Sequence, residues 1–394
     1  MVQLLRLFLS NGCQITFAST SQPTEYSAHL NELDIRTQSI VLNDSSFDAF
    51  IKAEGFDMVM FDRFLTEEQF GWRVATTLPG ALRILDTEDL HSLRHYREGC
   101  LKKGMDGTVE GWKQQDLTKR EMASILRSDL SLIISRVEMD LLQKSVKIDG
   151  TLLYYLPFIQ TLPSREAISS WPPFEKRTDF ICIGNGKHGP NVDALQWLKA
   201  EIWPLVRKQL PQVQLHIYGA YLPQMVHEWH REQEGFLVHG WAPNIHTVLQ
   251  GARVNLAPLR FGAGLKSKLF DAMANGTPTV TTSIGVEGLP PQLPIPAAVA
   301  DTAAEMAHFA VQLYNNPSDW QKAQTNGMEI LRTAFDAESH IQAFTKRLTT
   351  LQQHLMTHRD QNFMGQLLQH QTAAATRFMG KWIEEKNERK KDGN

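Results

Sequence analysis

The chain has 394 residues, 42% of them apolar, a length and composition that predict two domains, each with its own core. A formal net charge of -3 supplies no field that would make nucleic acid or an acidic membrane the main partner. Cys13, Cys100 and Cys182 are far apart, odd in number and without CxxC spacing. That argues against a disulfide framework or zinc site and fits a reducing cytoplasm; no apolar run approaches the roughly 18 residues of a membrane span, and the secretory-signal pattern is missing.

In chain order, "MVQLLRLFLSNG" reads as an amphipathic helix ended by Asn11-Gly12. Strand-like runs follow at 13–19, 37–42, 56–62, 82–89 and 130–135, with 151–157 as a sixth candidate, and helical patterns alternate with them. Residues 161–178 are rich in Pro and Ser, lack periodicity and predict an interdomain linker between a first domain at 1–160 and a second at 179–345. The alternation restarts with strands at 179–185, 213–219, 236–241, 253–259 and 277–283, and helices at 191–210, near 265–275 and at 303–315. Residues 346–394 predict a helical extension. The expectation is α/β: two Rossmann-like domains facing a cleft, with ligand at the carboxyl ends of the strands.

The stretch "RFGAGLKSKLFDAMANGTPTV" (260–280) stands at a strand-to-helix junction of the second domain. Gly262 and Gly264 would let the backbone approach an anion, at a helix start that favours negative charge. Arg260 and Lys266 could neutralise a diphosphate, with Lys268 a weaker candidate, and Asp271 could accept from a ribose diol. A glycine turn with solvated lysines is the plain alternative. His188 and His239 are more readily hydrogen-bonding loop residues than ligands.

"FICIGNGKHGPNVDALQWL", "VQLHIYGAYLP", "FLVHGWAP", the 252–289 stretch and "FDAESHIQAF" occur in an order and spacing that resemble the donor half of GT-B-fold glycosyltransferases of family 4, also called glycosyl transferases group 1. The resemblance is close over 179–345 and looser over 1–157. It implies a retaining transfer from a nucleoside diphosphate sugar to a glycan or lipid-linked acceptor, with no metal or other cofactor. In the family's Glu-x7-Glu motif the second Glu binds ribose. Asp271 occupies that place, and Ala263 stands where the first Glu would be. The resemblance is better to a "PLRxGAGxKxK" subgroup, in which backbone amides of the Gly262-Ala263-Gly264 loop would hold the donor sugar. It places Gly184 and Gly186 beside the pyrophosphate, Asn191 as a helix cap, and the base near Trp241 and Ala242.

On the acceptor side it points to Asp89, His91 and Glu88, in that order, and to Arg63. The alternative is that Asp86 and Asp89 merely cap the following helix. Because the chain opens on a helix, we expect the first domain to lack its first strand and that strand's Gly-rich loop, as if shortened at the amino end.

Rival readings are weaker. "GNGKHG" is a degenerate dinucleotide motif with no acidic residue at the end of the next strand, "IYGAY". A GT-B phosphorylase or epimerase would carry other signatures, while a transferase-like scaffold without turnover fits the missing first Glu. Phe363, Met364, Leu367, Leu368, Phe378, Met379, Trp382 and Ile383 recur at helical spacing and predict a helix packed back on the first domain. The basic end "EEKNERKKDGN" reads as a solvated tail able to touch anionic lipid. The expected location is cytoplasmic, with room for peripheral contact on the membrane's inner face.

Overall fold

The computed structural model describes residues 1–159, 162–295 and 297–370, with Phe378, Met379 and Trp382. In the first domain β1 (Thr16–Ser19) and β2 (Arg36–Ser39) pair in parallel as a sheet of their own. A second parallel sheet runs in the order β3 (Met58–Asp62), β4 (Leu82–Asp86), β5 (Leu130–Ile133), β6 (Leu153–Tyr155). All residues of β4 and β5 are buried, Arg83, Asp86 and Ser131 included, because both faces of this parallel sheet are covered. One face packs Phe61, Phe70, Leu85 and Ile125 around Trp112. The other packs Leu82, Ile84 and Leu132 against Leu7 and Phe8 of the opening helix Val2–Ser10, and against Phe344 and Leu348 of the helix Ala337–Gln353. The chain therefore returns to its first domain after completing the second.

The expected amino-terminal helix, the sixth strand and the two-domain plan are all present. Among the described residues β1 and β3 each have a single strand neighbour, and Met58, Val59 and Met60 are only half-buried. The strands of the first domain thus form two separate parallel sheets, of two and of four strands.

The second domain has one six-stranded parallel sheet. Its order is β12 (Ala297–Val299), β11 (Thr279–Thr281), β10 (Ala252–Ala257), β7 (Thr178–Ile183), β8 (Leu215–Tyr218), β9 (Phe236–Gly240). Strand order reverses between β7 and β10, so their following loops part and leave a crevice at the carboxyl ends.

Several expectations need correction. The helix at 191–210 is Gly189–Trp197, a π-helical stretch Leu198–Ile202, then Trp203–Gln209; Pro204 has no N–H to continue a regular ladder. Strand β12 went unread because its short apolar run lies among prolines. The linker holds two helical turns, Arg165–Ser169 and Phe174–Lys176, and β7 begins at its last residue. The helix Phe363–Gln369 does lie on Asp116–Arg127, but through Asn362 and Gly365, whose close approach puts Asn362 Nδ2 on Leu126 O at 2.8 Å. Phe363, Met364 and Leu367 turn outward, 70%, 51% and 55% exposed. Ile383 and the tail 384–394 fall outside the described residues.

Candidate active site

A cleft of about 950 Å³ separates the domains. Its first-domain wall is built from the residues after β3, β4, β5 and β6, with Met1, Gln3 and Leu4 of the opening helix. Its second-domain wall comes from the loops after β7, β8, β9 and β10.

The first wall is set by the turn after β4. Thr87 donates its hydroxyl to Leu132 O at 2.7 Å, and Glu88 N–H donates to Asp86 Oδ1 at 3.2 Å. This turn forces Glu88 to φ +58, a conformation that a side chain with a Cβ seldom adopts. Arg63, at φ +67 after β3, brings its Nε within 3.6 Å of Glu88 Oε2 and Nη2 within 3.3 Å of Asp62. Burial lifts Asp86 to about 6; burial, then the Asp62 charge, lifts Glu88 to about 7. Glu88 reaches solvent, yet its carboxylate stands in the concavity among other acids.

Asp89 is more committed. It takes Arg94 through both oxygens, at 2.9 and 3.2 Å, and His91 Nε2 lies 3.2 Å from Oδ1. Burial pulls His91 down to about 4, so its imidazole is neutral at ordinary pH. All four expected first-domain residues line the cleft.

Neither Asp86 nor Asp89 caps the next helix, which removes the capping alternative. Leu90 is the N-cap, and the N–H groups of His91 and Ser92 go to Glu121, at 2.9 and 3.0 Å. Glu121 comes from 30 residues along the chain and is buried, which lifts it to about 7. No local signal in the sequence could have found it.

On the second wall Lys266, Lys268 and Asp271 line the cleft around the start of the helix Ser267–Ala274. Lys266 donates to Gly264 O at 2.6 Å and Lys268 to Asn191 Oδ1 at 2.5 Å. Burial lowers both ammonium groups and raises Asp271 to about 6. Trp241 is half-exposed and shares the wall with Tyr218 and Ala242. Tyr26, from the first domain, reaches it at a centroid distance of 5.6 Å and meets Tyr221 edge-on at 4.8 Å.

The remaining donor-side candidates divide. Gly184, Gly262 and Ala263 line the cleft. Arg260 does not: Asp193 takes it at 2.9 and 2.5 Å, and its guanidinium lies over Trp197. Gly186 is turned to packing, since a Cβ there would fall 2.3 Å from Tyr221 O. Gly264 donates its N–H to the buried Glu138 of the first domain. Asn191 is not a cap. His188 holds that position and also lines the cleft, drawn down to about 4 by burial, whereas Asn191 bonds Asn185 O and Lys268 from inside the helix. His239 stacks on Tyr218 and shares a hydrogen bond with His216.

Two Rossmann-like domains with facing strand ends, joined by a carboxyl-terminal helix that crosses back, define the GT-B fold. Residues 177–316 match the family Glycosyl transferases group 1. A 44.6 kDa protein in the cps region of Klebsiella pneumoniae is 22% identical over 167 residues, 41% of this chain; the match spans less than half, 43%, of that protein's length. Among solved structures, sucrose-phosphate synthase from Thermosynechococcus elongatus is similar at a TM-score of 0.65 and 16% identity, over 89% of this chain and 92% of that one. HepE from Anabaena, solved with UDP and glucose, has a TM-score of 0.65 at 12% identity, over 89% and 96%. TarM from S. aureus, solved with UDP and alpha-GlcNAc-glycerol, has a TM-score of 0.55 at 13% identity, over 76% and 57%. No helix among the described residues is long and apolar enough to cross a membrane.

Proposed function

We propose that the protein is a retaining, metal-independent glycosyltransferase of the PLRxGAGxKxK type. It moves a sugar from a nucleoside diphosphate sugar to a glycan or lipid-linked acceptor. The observation that carries this reading is the second wall: two buried lysines and a half-buried carboxylate gathered along the first turns of one helix, opposite an acid-lined first domain. A diphosphate between Lys266, Lys268 and the loop Gly184–His188 would meet fixed positive charge in a site that excludes most water, where such charge stabilises the leaving oxygen best. Asp271 would take the ribose and the Trp241–Ala242 segment the base. The sugar then faces Glu88, Asp86 and His91, which can bind and orient hydroxyls of sugar and acceptor. Arg260 is too firmly held by Asp193 for us to retain it as a phosphate ligand.

UDP, present in the HepE and TarM structures, is the first nucleotide to try. The test is calorimetric titration with UDP, GDP and ADP, followed by analysis of the anomeric configuration of any product. Saturable binding of one nucleotide and a product with the donor's configuration are expected; no binding of any of them overturns the reading. A nucleotide-sugar-binding scaffold is the second reading, favoured by Ala263 in place of the motif's first Glu. Donor binding with no turnover or hydrolysis would select it. We place the protein in the cytoplasm, with the basic tail available for peripheral contact with anionic lipid.

A further inference from the structure

Glu138 lies in the short helix Arg136–Asp140 after β5 and is 1% exposed. Its Oε1 accepts two backbone N–H groups. One belongs to Leu90, at 2.9 Å, in the first-domain turn that carries Glu88 and Asp89. The other belongs to Gly264, at 2.8 Å, in the second-domain loop that carries Lys266. Oε2 is enclosed without a hydrogen-bond partner. A buried carboxylate with an idle oxygen is a costly way to satisfy one amide of its own domain. The bond to Gly264 is different in kind, because it exists only while the domains are closed.

The surroundings are built for that contact. Gly264 sits at φ +61, and a Cβ there would lie 2.8 Å from Asp89 Cβ and 3.1 Å from Ile134. The second-domain loop can come this near only because the residue is glycine. The same loop is held at Gly262, whose carbonyl accepts from Arg97 Nη1 at 2.7 Å. Arg97, of the first domain, also grips Glu287 at 2.6 and 2.7 Å.

We infer that Glu138 is a positioning residue, whose one oxygen fixes the loop of Glu88 and Asp89 in register with the loop of Lys266 across the cleft. Its consequence for catalysis rests on the transferase reading: closure would set acceptor-side groups against the donor, a placement in which an error of about 1 Å can cost about a hundredfold in rate. Nucleotide binding, which needs only the second wall, would not depend on it.

The test uses the full chain with Glu138→Asp, which keeps the carboxyl group but withdraws it by one methylene, and Glu138→Leu, which removes it. The first readouts need no substrate. Amide exchange at Gly264 should quicken by about tenfold or more in both variants, and the radius of gyration from X-ray scattering should increase, with exchange in β7 and β10 unchanged. UDP affinity should stay within about twofold while kcat for transfer falls by about tenfold or more, and Glu138→Gln, which retains an acceptor oxygen, should recover part of the loss. Wild-type exchange at Gly264 and wild-type scattering in the variants would overturn the assignment. So would UDP affinity falling in step with kcat, since that would place Glu138 in donor binding. If Glu138→Leu does not fold, Glu138→Asp carries the test alone. If the wild type binds none of UDP, GDP and ADP, the transferase reading fails, and exchange and scattering still decide the role of Glu138.

Discussion

Glu88 shows how backbone and charge meet in the cleft. A residue with a Cβ at positive φ costs on the order of 1 kcal/mol, and its carboxylate is held up to about 7 by burial and by Asp62. A carboxyl whose folded pKa is raised favours the fold most below its ordinary pKa and loses that advantage as pH rises through the folded value. We therefore expect Glu88→Gln to gain on the wild type in melting temperature as pH rises from about 5 to about 8. A pH-independent difference would show that the carboxylate is not held up. Across the cleft, Lys266→Ala should weaken nucleotide binding by about 2–4 kcal/mol, the scale of a charge-assisted pair in a closed site, as read by calorimetry. Asp271→Asn should raise donor KM more than it lowers kcat, and Asp271→Glu should retain activity. Wild-type kinetics in both would leave Asp271 as a helix residue alone.

Elements are placed by contacts distant in sequence. The helix Leu355–Gln361 is tied to the first domain where Arg359 meets Asp129 at 2.8 and 2.7 Å, with Arg83 on the same carboxylate. Burial would raise Asp129, but Arg359 and Arg83 outweigh it and hold the group below its ordinary value. Arg359→Ala leaves Asp129, 3% exposed, with one guanidinium in place of two. The expected loss is about 2 kcal/mol, below the full cost of a broken buried pair because Arg83 remains. Urea denaturation measures it, and a loss under about 0.5 kcal/mol would show that this tie contributes little. The outward turn of Phe363, Met364 and Leu367 has the same lesson. Helical spacing showed an apolar stripe, but the contact with Asp116–Arg127 is made by Gly365 on the opposite side.

At the scale of the molecule, the first domain's divided sheet sets an order of stability. Strands β1 and β2 pair only with each other among the described residues and are largely accessible, whereas β4 and β5 are buried throughout. Amides of Phe17, Ala18, Thr37 and Gln38 should exchange well before those of Ile84, Leu85 and Leu132, through local opening below the global unfolding free energy. Equal protection would mean that β1 and β2 belong to the same cooperative unit as the main sheet.

The sequence by itself determined what depends on neighbours along the chain. Apolar runs separated by helical periodicity gave the α/β alternation, the strand-to-helix junction near residue 260 and the cluster Lys266, Lys268 and Asp271, because strand, turn and helix signals are local. Tertiary structure alone decided which charges remain available. Arg260 was drawn off by Asp193, 67 positions away, and the helix start at His91 was capped by Glu121 instead of Asp86 or Asp89. Gly264's amide was taken by a carboxylate 126 positions earlier. Hydrogen-bond partners are chosen by proximity in space, and no periodicity or spacing in a single sequence encodes which distant side chain arrives first.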